Sequence, residues 1–288
     1  MKYFKTSIAA ALTLSIASTM VSANNITIDA VTKDVTFLAS DDMKGRGNFS
    51  PEIDKAANYI ADRFSTIGLK NFPNNQNFKQ TFNAYTVTPD KLKLTLNGKQ
   101  VNKDNITIAT SNAAFKWNSV SDFEQVYVGK DGNLRDTLKE VNKHGRNTLV
   151  LVHPSHEEWF KRYQGYFNRG LTKLSLKHQG NLVVVLSEQK EAKQIELLAA
   201  QTINTQPLTN VVGIIPGKSK PNEIVLFSAH YDHLGVNNKE GEDKIYNGAD
   251  DDASGTSAII NLAEYFAKEN NNSRTLMFAA FTAEEIGG

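Results

Sequence analysis

The chain has 288 residues, of which 40% are hydrophobic and 22% are charged, a composition typical of a soluble globular protein with one large domain or two ordinary ones. The formal net charge of +1 gives no electrostatic reason to expect nucleic acid or an acidic membrane surface as a partner. The chain contains no cysteine, so any metal site has to use histidine, aspartate and glutamate.

The N-terminus has the three regions of a secretory signal peptide. Lys2 and Lys5 precede an apolar stretch over residues 7–20, and Val21-Ser22-Ala23 supplies the small residues of a cleavage site. The stretch is too short and too rich in serine and threonine for a stable membrane span. We therefore expect residues 1–23 to be removed and the protein to be exported to the periplasm or secreted, free of the membrane, rather than to begin with a core helix.

The first predicted elements are two helices with a loop between them. "SPEIDKAANYIADRFSTIGLK" carries one apolar stripe, with Ser50 placed to cap its start and Gly68 to end it. Before it, "VTKDVTFLASDDMKGRGN" predicts a short helix followed by a loop. Asp41, Asp42 and Arg46 in that loop are candidates for function, but a solvated, partly ion-paired loop is the favoured interpretation.

Further along, the pattern predicts a hairpin and then a small α/β unit. Alternating leucines on either side of Asn97-Gly98 predict the hairpin over residues 90–103. Between residues 109 and 205, the strand candidates "NTLVLVH" and "NLVVVLS" alternate with helix-like stretches.

The last third predicts a strand, a helix and a second strand. "EIVLFSAHYDH" ends in His230 and Asp232, "NGADDDASGTSAIINLAEYFAKENNNS" is an aspartate-rich loop followed by a helix, and "RTLMFAAFTAEE" ends in Glu284 and Glu285. In a βαβ unit the ends of both parallel strands and the start of the helix meet at one edge of the sheet, where α/β folds usually bind ligands. The imidazole and the carboxylates are therefore expected to converge.

Such a convergence of one imidazole and several carboxylates suits Zn²⁺ or a similar divalent ion. Of two consecutive glutamates, one can bind metal while the other moves protons, and Asp232 could accept the other ring N–H of His230. Taken singly, each group has a simpler explanation, because aspartates favour a helix N-terminus and a histidine or a glutamate pair can be structural. Their expected convergence favours the metal site.

Three motifs in this order carry a family resemblance. "SAHYDHLG", "NGADDDASGTSAI" and "FTAEEIGG" resemble the secreted co-catalytic zinc aminopeptidases, metallopeptidase family twenty-eight. The resemblance implies a peptidase domain of residues 24–108 and 206–288, with a mixed, largely parallel sheet flanked by helices. It also implies that the α/β unit over residues 109–205 is an inserted domain, at the place where many members carry a protease-associated domain.

The same resemblance implies a role for each matching residue. His230 binds one Zn²⁺ ion, Asp251 bridges both ions of a complete site, and Glu285 binds the other. Glu284 is the general base, and Asp232 is the hydrogen-bond partner of His230. The implied reaction is the removal of N-terminal residues from peptide substrates by a water activated between the two ions.

Two further expectations follow from the resemblance. The family has a cis peptide bond after the bridging aspartate, which predicts one between Asp251 and Asp252. The family also has another aspartate and a histidine as ligands beyond the Glu-Glu motif, and the present sequence runs only to Gly288. The sequence therefore resembles the N-terminal part of a peptidase, and the chain alone is expected to be inactive.

Two alternatives belong to other functional classes. A zinc carboxypeptidase or deacylase of a related family would share the His-x-Asp and Glu-Glu motifs, but such enzymes typically have Gly-x-x-Asp-x-Lys-Gly where this chain has "GADDDASG". A non-catalytic binding module on the same fold is the other alternative, and the presence of Glu284 argues against it.

Overall fold

The computed structural model describes residues 25–73, 75–177, 180–237, 241 and 243–287. The predicted signal peptide, residues 1–23, lies outside the described residues. Within the described part, no helix is both long and apolar enough to cross a membrane. The helices are α1 (Ile28–Leu38), α2 (Pro51–Ile67), α3 (Leu134–His144), α4 (Glu157–Asn168) and α5 (Ser254–Glu269).

Helix α2 confirms the first predicted helix. The Ser50 hydroxyl accepts a hydrogen bond from the backbone N–H of Ile53 at 3.4 Å, and Gly68 ends the helix with a left-handed φ of 88°. The predicted apolar stripe faces inward, with Ile60 and Phe64 fully buried. The helix therefore packs by one face against the sheet that carries the candidate site.

The strands form two sheets. They are β1 (Lys70–Asn71), β2 (Lys79–Leu96), β3 (Lys99–Gln100), β4 (Ile106–Ala109), β5 (Ala114–Asn118), β6 (Glu124–Val128), β7 (Thr148–Val152), β8 (Leu171–Lys173), β9 (Leu182–Leu186), β10 (Ile195–Ile215), β11 (Lys220–His230) and β12 (Arg274–Phe281). The larger sheet has the order β11-β12-β10-β2-β3, with β1, β5 and β8 paired at its sides, and the smaller sheet has the order β4-β9-β7-β6.

The mixed α/β class is confirmed, but the expectation of a largely parallel sheet is wrong for the larger sheet. Among the described residues of that sheet, only β11 and β12 pair in parallel, whereas β10 runs antiparallel to β12 and to the long strand β2. The physical reason lies in the connection between β2 and β10. Strand β10 begins beside the end of β2, where Ile195 pairs with Leu96, so the two strands run in opposite directions.

The strand–helix–strand unit at the C-terminal end is confirmed. Strands β11 and β12 pair in parallel, with His230 opposite Phe281 at the end of the pair. Helix α5 connects them and buries Ile259 and Ile260 in the core shared with α1 and α2. This crossover brings the ends of both strands and the start of α5 to one edge of the sheet.

Truncating Ile260 should measure how much this packing stabilises the unit. Its side chain is fully buried, so Ile260→Ala removes apolar contacts and leaves a cavity, and we expect the free energy of unfolding to fall by about 2–5 kcal/mol. Urea unfolding followed by circular dichroism checks this. Lys268→Ala, at an exposed position of the same helix, should change the free energy by only about 0.5 kcal/mol. Equal losses in both variants would contradict the assigned packing.

The segment between β2 and β10 forms a small α/β unit. Strands β6, β7 and β9 pair in parallel, β4 pairs antiparallel with β9, and α3 and α4 belong to the same segment. The predicted Asn97-Gly98 turn is confirmed between β2 and β3. The predicted boundary at residue 205 falls inside β10, which pairs with the larger sheet along its length. The division of the chain into domains stays a prediction.

Candidate metal centre

The imidazole of His230 lies at the end of β11 beside the aspartate loop. Its Nε2 atom is 3.1 Å from Oδ1 of Asp251. Its Nδ1 atom is 3.1 Å from the backbone carbonyl oxygen of Asp232 and 3.7 Å from the carboxylate Oδ1 of the same residue. The structure therefore brings His230 and Asp251 together, and places the carbonyl of Asp232, rather than its carboxylate, within hydrogen-bond distance of the ring.

The carboxylate of Asp232 joins three segments of the chain. It is fully buried, and its Oδ2 accepts hydrogen bonds from Nδ2 of Asn48 at 2.6 Å and from the backbone N–H of Glu285 at 3.1 Å. Within the described part of the chain its Oδ1 has no hydrogen-bond partner. A buried carboxylate oxygen without a donor is costly, and this one lies on the side of His230.

The three aspartates of the loop before α5 have different environments. The peptide bond between Asp251 and Asp252 is cis, which confirms that expectation. The carboxylate of Asp252 accepts hydrogen bonds from the backbone N–H groups of His230 and Gly255, at 3.2 and 2.9 Å. The Asp251 side chain is 65% exposed and is directed at His230. Asp251 is therefore available to a ligand next to His230, while Asp252 fixes the loop against β11.

The two glutamates lie in a short turn directly after β12. The Glu285 carboxylate is 2.7 Å from Nδ1 of His233, and its backbone N–H is held by Asp232. Glu284 is exposed and lines an open cleft together with His230 and Phe281. The adjacent carboxylates thus differ in environment, since one is bound into the cluster and the other faces the cleft.

His233 is a member of the cluster to which sequence reasoning gave no role. Ligand atoms of His233, Asp251 and Glu285 all lie within 4.8 Å of one another. Its imidazole is buried and meets the ring of Tyr246 edge-on, with the ring centroids 6.4 Å apart. The signal in the sequence was the second histidine of "HYDH".

These residues lie in a segment with a recognisable family. Residues 210–288 match the model of peptidase family M28. We call this matched part the M28 segment. The M28 segment contains β11, the aspartate loop, α5, β12 and the glutamate turn, and so includes every residue predicted for the site.

The chain also resembles several solved structures at low sequence identity. An aminopeptidase from Aneurinibacillus sp. strain AM-1 is 17% identical with a TM-score of 0.42, over 90% of this chain and 63% of that one. A zinc aminopeptidase from Bacillus subtilis is 16% identical with a TM-score of 0.42, over 90% and 62%. A peptidase M28 precursor from Shewanella amazonensis SB2B is 12% identical with a TM-score of 0.37, over 90% and 67%. The chain spans less than two thirds of the length of the first two.

The donor set of the M28 segment fits a divalent metal ion. It offers imidazole nitrogens and carboxylate oxygens, the ligands that zinc takes when no thiolate is available. The carboxylates of Asp251 and Glu285 lie close together, each beside an imidazole. Among the described residues, the buried Oδ1 of Asp232 has no hydrogen-bond donor. A bound cation would offset the repulsion between these carboxylates.

A buried arginine side chain lies next to these carboxylates. Arg46 is fully buried, so the expectation of a solvated loop is wrong for this residue. Burial lowers the pKa of its guanidinium to about 10, and the negative charges of Asp232, Asp252 and Asp251 oppose that shift. Arg46 is therefore charged at neutral pH and contributes a fixed positive charge next to the carboxylates.

Proposed function

We propose that the protein is a zinc-dependent aminopeptidase that removes N-terminal residues from peptides. The observation that carries the proposal is that Asp251, in the loop before α5, lies 3.1 Å from His230 at the end of β11 and within 4.8 Å of Glu285 after β12, all inside the M28 segment. The metallopeptidase class follows from the matched segment. The aminopeptidase specificity follows from the resemblance of the three motifs, and the activity of the whole protein is part of the proposal.

In this proposal the ligands are the residues expected from the sequence. His230 would hold one Zn²⁺ ion, Glu285 would hold a second, and Asp251 would serve as a ligand to both. The exposure of Asp251 and its 3.1 Å approach to His230 support the pairing. The hydrogen bond between His233 and the Glu285 carboxylate fixes the orientation of that carboxylate. His233 is therefore a positioning residue for the ligand Glu285.

When bound, zinc in such a site lowers the pKa of a water molecule and polarises a carbonyl group. The chain's own residues supply the proton transfers and the orientation. Glu284 faces the cleft, so its carboxylate is available to take a proton from the attacking water and return it to the leaving amine. The Asp232 carboxylate accepts the backbone N–H of Glu285, and the Asp232 carbonyl lies within hydrogen-bond distance of Nδ1 of the His230 imidazole, so this residue positions both proposed ligands.

The location and the domain organisation complete the proposal. Residues 1–23 act as a signal peptide, and the mature protein is periplasmic or secreted. The α/β unit over residues 109–205 is an inserted domain of the protease-associated type, supported by the separate sheet β4-β9-β7-β6, whose strand β4 begins slightly earlier, at Ile106.

The test of the function is hydrolysis of chromogenic substrates by the complete protein. We expect cleavage of leucyl-p-nitroanilide, loss of activity with 1,10-phenanthroline, and recovery with added zinc. N-acetyl-leucyl-p-nitroanilide is the matched control, because it has the same scissile bond without the free amine that an aminopeptidase recognises. Cleavage of the acetylated substrate, or release of the C-terminal residue from a blocked peptide instead, would contradict the proposal and favour an endopeptidase, a deacylase or a carboxypeptidase.

A further inference from the structure

We propose that Arg46 is a positioning residue. It fixes the loop that follows His230 and the loop that precedes Asp251 relative to each other by hydrogen bonds to their backbone carbonyls. The inference concerns the arrangement of the two loops. Its bearing on metal binding rests on the proposed function.

The guanidinium donates hydrogen bonds to both loops at once. Its Nε atom donates to the carbonyl of Tyr231 at 2.9 Å, and Tyr231 lies between His230 and Asp232. Nη1 and Nη2 donate to the carbonyls of Asn247 and Gly248 at 2.8 and 3.0 Å, in the loop that leads into the three aspartates. Nη1 also donates to the carbonyl of Leu38 at the end of α1.

This task suits arginine and no other side chain. The planar guanidinium carries five N–H donors in a fixed fork, so a single group can bind carbonyls from several segments. A lysine ammonium carries its three donors on one nitrogen atom. It lacks the planar spread of donors with which the guanidinium binds the carbonyls of Tyr231 and Gly248 at the same time. Because the charge is buried and close to the site's carboxylates, it also offsets their repulsion before any metal binds.

The backbone around Arg46 makes the same connection. The Arg46 carbonyl accepts the N–H of His233 at 3.1 Å, and the Gly45 carbonyl accepts the N–H of Gly235 at 3.1 Å. Gly45 has a φ of 66°, and a Cβ atom there would lie 2.4 Å from the Tyr246 carbonyl oxygen and 2.5 Å from that of Gly235. The residue before Arg46 must therefore be glycine, since the segment lies directly against both loops.

The experiment compares Arg46→Met and Arg46→Lys with Met43→Ala in the purified protein. Met43 is a matched control, since it is buried in the same segment and packs in the apolar core. Amide hydrogen exchange without metal is measured for peptides covering residues 231–237 and 245–253. We expect exchange about tenfold faster in both peptides of Arg46→Met and a smaller increase in both peptides of Arg46→Lys. In Met43→Ala, exchange in the two peptides should rise only as much as the global loss of stability requires.

Zinc affinity is then measured on the same proteins by competition with a chromogenic chelator. We expect the dissociation constant of Arg46→Met to rise about 10–100-fold, the effect typical of an outer partner of a metal ligand, because the lost orientation of the loops outweighs the removal of a positive charge that repels the ion. That of Met43→Ala should stay within about twofold.

The outcomes separate this inference from the proposed function. Unchanged exchange in both Arg46 variants, or changes equal to those in Met43→Ala, would overturn the positioning role, and Arg46→Lys decides the question if Arg46→Met does not fold. A wild-type protein that binds no zinc would contradict the proposed function, while the exchange measurement still decides the role of Arg46.

Discussion

Replacing Glu284 with glutamine is expected to abolish turnover while zinc remains bound. Glu284 lines the open cleft beside His230 and has the role of the proton carrier in the proposed reaction. An amide has nearly the same shape but cannot take the proton, so kcat should fall about 10²–10⁴-fold, the contribution typical of general base catalysis. Steady-state kinetics on the complete protein, with zinc content by mass spectrometry, makes the measurement.

The neighbouring glutamate provides the matched control for this prediction. Glu285 is drawn into the cluster by His233 and has the role of a ligand, so Glu285→Gln should lower zinc content together with activity. The two variants make the same chemical change, carboxylate to amide, at adjacent positions. An active Glu284→Gln protein, or equal zinc loss in both variants, would remove Glu284 from its role as base.

The part of the site that could be predicted is the part encoded by local pattern. An apolar strand ending in His230, a helix of clear periodicity and a second strand ending in Glu285 require only the geometry of a βαβ unit to converge. The structure has this unit, with β11 and β12 in parallel. Chemistry placed at strand ends is therefore readable from sequence, because the local pattern determines both the element and its direction.

What could not be predicted depends on contacts between distant segments. The antiparallel pairing of β2 with β10 follows from where the intervening segment leaves and rejoins the sheet, and no local periodicity encodes that. Arg46 binds carbonyls that lie 185 to 202 residues further along the chain, and a carbonyl acceptor has no side-chain signature. In isolation the charged "DDMKGRG" therefore favoured a solvated loop, whereas the tertiary fold buries its arginine.

The role of His233 was missed for a related reason. Its sequence spacing from His230 places it past the strand end, where the direction of a side chain depends on the path of the loop. In the structure the loop returns along the Arg46 segment, and the N–H of His233 bonds to the Arg46 carbonyl. The same bond that fixes the loop therefore directs the second histidine toward Glu285.

Asp251→Asn is expected to cost the protein its zinc. Ligand atoms of Asp251, His233 and Glu285 lie within 4.8 Å of one another, and the Asp251 carboxylate is 3.1 Å from His230. The proposed site therefore depends more on the charge of Asp251 than on the charge of any other ligand. An amide oxygen is a weaker, neutral ligand, and we expect zinc affinity to fall by more than about 100-fold, beyond the roughly 10–100-fold that loss of an outer partner costs. Chelator competition makes the measurement.

The aspartate next to it supplies the control. Asp250 is exposed and lies in the same loop, so Asp250→Asn removes the same charge from the same segment without removing a proposed ligand. Zinc affinity should change only through the weak long-range field, by about threefold or less at physiological salt. A loss of affinity in Asp250→Asn as large as in Asp251→Asn would mean that the loop attracts the cation by net charge. A loss confined to Asp251→Asn would identify its carboxylate as the ligand, because the loop, the cis bond and the anchoring of Asp252 are common to both variants.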